Sequence, residues 1–127
     1  MDRDVALLAA LAVHLAAAAV HGATHGLVPV PLPAWANALV LGTVVVGPVA
    51  GVALARRGHP VGVPLFTASM TAAFLLGLAL HFSVETPDRI DLVPAGPWRL
   101  HFQASAVGVA AVQALGIAVG AWHLRTA

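Results

Sequence analysis

Four stretches of the chain are each about 20 residues long and carry no aspartate, glutamate, lysine or arginine: roughly Val5 to Thr24, Ala34 to Ala55, Val61 to Ser83 and Leu100 to Leu124. That length is what an α-helix needs to cross the hydrocarbon of a bilayer. A water-soluble fold of 127 residues needs polar side chains to cover its surface. Here 60% of residues are hydrophobic and 9% are charged, so too few are available. The sequence therefore predicts an all-α integral membrane protein, a single transmembrane domain over 1–127. Its helices are expected at about 5–24, 34–55, 61–83 and 100–124.

The segments between these runs carry turn chemistry. Gly26 with Pro29, Pro31 and Pro33 separates the first run from the second, and Arg56-Arg57-Gly58-His59-Pro60 the second from the third. Proline has no amide hydrogen and fits helix starts and loops. The longest connection, Glu85 to Trp98, holds Pro87, Pro94, Gly96 and Pro97 and three of the five acidic residues. Trp35, Trp98 and Trp122 fall near helix ends, where interfacial aromatics belong. Pro48 lies inside the second run and predicts a kink. Short connections predict an up-down-up-down four-helix bundle.

In that topology the N-terminus, the Arg56 turn and the C-terminus share one side, with Arg3, Arg56, Arg57 and Arg125; Arg89 and Arg99 lie on the other. The positive-inside rule puts the first side, and both termini, in the cytoplasm of a multi-pass cell-membrane protein. The charged start Asp2-Arg3-Asp4 is net negative, whereas a cleaved signal peptide begins positive, so the first run is expected to be a retained helix. There is no cysteine, which removes thiolate metal sites and disulfides. No basic run exceeds Arg56-Arg57, so nucleic acid is not an expected partner. The lipid bilayer is. Gly116 and Gly120 have GxxxG spacing, which serves either packing within the chain or a homo-oligomer face. Docking against a larger membrane complex is a further expectation.

Seven histidines in so apolar a chain are its most informative feature. On a helix, His21 and His25 lie about 20° either side of His14, so the three share a face. Polar side chains in a membrane helix turn toward the bundle interior. Alternating crossings bring His21, His25, His81 and His101 to one end of the bundle. Glu85 follows His81 at i+4 and shares its face if the helix persists. Four imidazoles and a carboxylate from three helices suit a transition metal, zinc, copper or iron. Two imidazoles on different helices also suit the axial positions of haem b.

At mid-depth, His14 and Gln113 are expected to pair, since a polar group there must find a partner. The same pair offers a polar path for an oligomeric channel or transporter. The long loop reads as a solvated connection or as a lid over the cluster, with Glu85 as ligand. No catalytic residue is assigned: Ser69, Ser83 and Ser105 lack a nucleophile-elbow context, and no P-loop or dinucleotide fingerprint is present. The leading expectation is metal handling or electron transfer at the histidines. The alternatives are the channel and an accessory subunit without chemistry of its own.

Overall fold

The computed structural model describes residues 2–126 and is all-helical. Four helices are long and apolar enough to cross a membrane: α1 (Arg3–Leu27), α2 (Ala34–Arg56), α3 (Gly62–Ser83) and α4 (Arg99–Arg125). They match the four expected runs to within three residues at each end; α1, α2 and α4 run longer than expected, and α3 begins one residue later. The extensions have local causes. The Asp2 carboxylate accepts from the Asp4 amide at 3.0 Å and caps α1, satisfying one orphan N–H. Arg99 and Arg125 bound α4, and arginines tolerate a helix end at a membrane surface because their charged tips reach water.

Side-chain polarity is distributed as a bilayer requires. Leu75, Val107, Leu115 and Val20 point outward, each more than half exposed. His14, His21, His81 and Gln113 are buried. A soluble bundle has the opposite arrangement; this one turns its polar groups inward, away from lipid.

The helices pack in the order α2–α3–α4–α1, with α1 and α2 in light contact. Close approach depends on small residues. A Cβ at Gly51 would lie 2.5 Å from the Phe66 backbone nitrogen, so α2 and α3 meet backbone to backbone. Gly116 and Gly120 seat Met70 and Thr67 of α3, so the GxxxG pair serves packing inside the chain. One apolar core lies toward the termini, from Leu7, Ala10, Val52, Phe66 and Met70. A second, from Val28, Val30, Val93 and Phe102, joins the α1–α2 connection and the long loop to α4 at the other end.

Two π-helical turns interrupt the helices, at Leu41–Val46 of α2 and Ala79–Ser83 of α3. The first ends two residues before Pro48. In α-helical register the carbonyl of Val44 would be served by the amide of residue 48, and proline has none. His14 of α1 supplies the missing donor, with Nε2 2.8 Å from the Val44 oxygen. The expected effect of Pro48 thus takes the form of a widened turn and a carbonyl released to a neighbouring helix.

The packing yields a test. Gly51→Ala is expected to destabilise the protein by about 1–3 kcal/mol, because α2 and α3 must move apart. Gly22→Ala, at a position with nothing within 4 Å, is expected to be neutral or stabilising, since alanine is the better helix former by up to ~1 kcal/mol. Thermal melts in detergent would read the difference.

Candidate metal centre

At the end of the bundle away from the termini, three imidazoles converge. His21 and His25 come from successive turns of α1, and His81 from the π turn that ends α3. His21 Nε2 lies 3.1 Å from His81 Nε2 and 3.2 Å from His25 Nε2. One nitrogen from each of the three lies within 4.8 Å of the others. The His21 ring meets each neighbour nearly edge to face, at 80° and 89°, with centroids 4.8 Å apart. Phe102 of α4 packs against all three rings.

The surroundings fix which nitrogens carry protons. His81 Nδ1 faces two acceptors, the Asp88 carbonyl at 3.0 Å and the Asp88 carboxylate at 3.2 Å. It is therefore the protonated nitrogen, and a neutral His81 presents a lone pair at Nε2. His21 Nδ1 lies 3.0 Å from Ser105 Oγ. Thr24 gives its proton to the His21 carbonyl at 2.6 Å, and Ser105 donates to the Phe102 carbonyl at 3.0 Å. Ser105 Oγ is thus left as an acceptor for His21 Nδ1–H, and a neutral His21 also presents its Nε2 lone pair. Two lone pairs then face one another at 3.1 Å. That contact is repulsive unless a cation sits between or beside them.

Asp88 adds to the demand for a cation. The residue is 2% exposed. Its carboxylate oxygens lie 3.4 Å from His25 Nε2 and 3.2 Å from His81 Nδ1, yet neither completes a directed hydrogen bond. Burial holds this carboxyl above its ordinary value of 3.8, against the opposing pull of His81 and His25. A buried carboxylate short of donors is a group that a metal ion would satisfy.

The long loop delivers Asp88. Where α3 ends, Thr86 Oγ1 donates to the Leu80 carbonyl at 2.9 Å and the Ile90 amide to the His81 carbonyl at 3.0 Å. These bonds satisfy orphan carbonyls of the helix end and fold the loop back over the histidines. Val93 is buried in the second core. Gln103 Nε2 donates to the Ile90 carbonyl at 2.7 Å, tying the loop to α4. The loop lies over the histidines, and the carboxylate it turns inward is Asp88.

Two expected members of the cluster stand apart. Glu85 is exposed, because α3 stops at Ser83 and Val84 is already extended; the i+4 relation to His81 fails with the helix. His101 is exposed on α4 and packs against Trp98, with centroids 5.2 Å apart. Its neighbour Phe102 takes the inward position, and one residue is about 100° of rotation. Nor do His14 and Gln113 pair: His14 bonds to Val44, and Gln113 Oε1 is buried without a partner. Asp91 forms an exposed ion pair with Arg89 at 2.6 Å, which pulls its carboxyl below the ordinary range.

Asp88 links the centre to pH. Its carboxyl binds a proton more tightly in the folded state than in the unfolded chain. In metal-free protein this contribution to stability is present below 3.8 and is lost as pH rises through the raised value. Melting of wild type and Asp88→Asn in chelator across that range is expected to show the difference, with the asparagine variant lacking this component of the decline. No family model matches the chain, and no curated protein or solved structure matches it.

Proposed function

We propose that the protein is a small multi-pass membrane protein that holds a transition-metal ion on His21, His25 and His81, with the Asp88 carboxylate beside His25 and behind His81. The carrying observation is the 3.1 Å approach of the His21 and His81 Nε2 atoms, on rings whose Nδ1–H groups are engaged elsewhere. Ligating histidines characteristically donate the second ring N–H to a carbonyl, carboxylate or other acceptor, which fixes the tautomer. In a tetrahedral site with metal–nitrogen bonds of ~2.0 Å, ligand atoms stand ~3.3 Å apart. Two of the three separations, 3.1 and 3.2 Å around His21 Nε2, are close to that edge, and all three nitrogens lie within 4.8 Å of one another.

This geometry favours a compact ion over haem. Axial ligands of a haem iron stand on opposite sides of it, ~4 Å apart, with the porphyrin between. Three imidazole nitrogens, with a carboxylate nearby and no sulfur donor, suit zinc best, with copper(II) and iron(II) as the nearest competitors. By the arginine count of the two ends, four against two, the centre lies at the outer face and both termini in the cytoplasm. The long loop then separates the ion from the outside solution, a placement suited to metal handling.

Elemental analysis of protein purified without chelator tests this reading. Stoichiometric metal is expected in wild type and in the His101→Ala and Glu85→Gln variants. A His21→Ala, His81→Ala double variant is expected to lose it, and Asp88→Asn to weaken affinity ~10–100-fold. Unchanged metal in the double variant would refute the site. A Soret band would replace the ion with haem. Metal-free wild type after reloading with zinc, copper and iron would leave a shared proton as the cation between the imidazoles.

A further inference from the structure

Beneath the histidines lies a cavity of about 390 Å³ lined by all four helices. Its wall is largely apolar, with Ala73, Gly77, Val109 and Ala110 among the lining residues. The histidines and Asp88 form its roof, and Gln113 lies in its wall deeper in the bundle. Ser105 is level with His21, and eight helical residues separate it from Gln113, so the polar groups are ~12 Å apart along the axis. The cavity does not continue toward the termini as a pore. There Leu7, Phe66 and Met70 are fully buried against one another. It is open at the side, where α1 and α2 touch lightly, and the exposed Gly22, Gly26 and Asn37 line the opening. In a bilayer that opening faces lipid.

Gln113 is 3% exposed, lines this space, and has an Oε1 with no partner in the protein. A buried amide oxygen without a donor is costly, and nothing in the packing around it removes the cost. Oε1 is closed off by the packing in this orientation of the amide; turned so that its oxygen or its nitrogen meets the cavity, the amide accepts from or donates to a hydroxyl. A benzene ring fits an apolar cavity of ~150 Å³, so the space here admits a ring with a short alkyl chain. We infer that the cavity is a binding site for a small lipid-soluble alcohol or phenol, which enters between α1 and α2 and anchors its hydroxyl on Gln113. Such a molecule would lie directly beneath the histidine centre. Its binding through Gln113 does not depend on a metal being there.

Equilibrium dialysis of radiolabelled 4-hexylphenol against the full chain in phosphatidylcholine nanodiscs tests this, with protein-free nanodiscs as the partition baseline. Saturable binding above baseline is expected, with hexylbenzene competing about tenfold more weakly, the worth of one hydrogen bond of ~1.4 kcal/mol. Gln113→Leu is expected to erase that discrimination and to raise the melting temperature of the ligand-free protein. Gly22→Leu, placed in open space, is expected to fill the opening and abolish binding with the fold intact. Wild type stripped of metal with chelator is expected to bind 4-hexylphenol as the metal-loaded protein does, which separates this site from the metal centre. The inference is overturned if no saturable excess over protein-free discs appears, or if hexylbenzene competes equally. It is also overturned if Gln113→Leu keeps the discrimination, if Gly22→Leu leaves binding unchanged, or if chelator-stripped wild type loses it.

Discussion

A polar group inside a lipid-spanning bundle has no water to turn to, so its partner must come from the protein or from something the protein holds. Most of what is distinctive in this chain follows from that constraint. Pro48 leaves the Val44 carbonyl without an amide donor, and His14 crosses from α1 to serve it. The last carbonyls of α3 are served by Thr86 and Ile90 of the long loop. Each pairing ties one element to another and adds direction to helix packing that apolar contact alone leaves loose.

Where the constraint is not met within the protein, it points to chemistry. The Nδ1 groups of His21 and His81 are engaged, which turns two Nε2 lone pairs toward one another. The Asp88 carboxylate is buried beside them without a directed donor. Two lone pairs and an anion form a net demand for positive charge at one point. A four-helix scaffold meets the geometric need by bringing ligands from separate helices, and the π turn at Ala79–Ser83 presents His81 to the centre from the end of α3. Such turns are frequent at functional sites.

The four crossings were legible because apolar length and charge depletion report directly on lipid. The His21, His25 and His81 cluster was legible because alternation and i,i+4 spacing place all three on inner faces at one end. The rest depended on details that periodicity does not carry. Extending α3 past Ser83 by pattern put Glu85 on the site, whereas the helix ends in a π turn and the loop returns with Asp88. His101 has the right depth on α4 but the wrong phase, and Phe102 takes the inner position. The partner of His14 was within reach of sequence reasoning: Pro48 minus four is Val44, a carbonyl that had to find another donor. Depth matching alone suggested Gln113 instead, and that side chain faces the cavity.

X-ray absorption at the metal edge of the loaded protein tests the central claim most directly, because it counts imidazoles at the ion itself. The expected result is a shell of nitrogen and oxygen at ~2.0–2.1 Å, with outer-shell scattering that fits three histidines. A spectrum that fits one imidazole or none, or that requires sulfur or a porphyrin, would contradict a centre built from His21, His25 and His81.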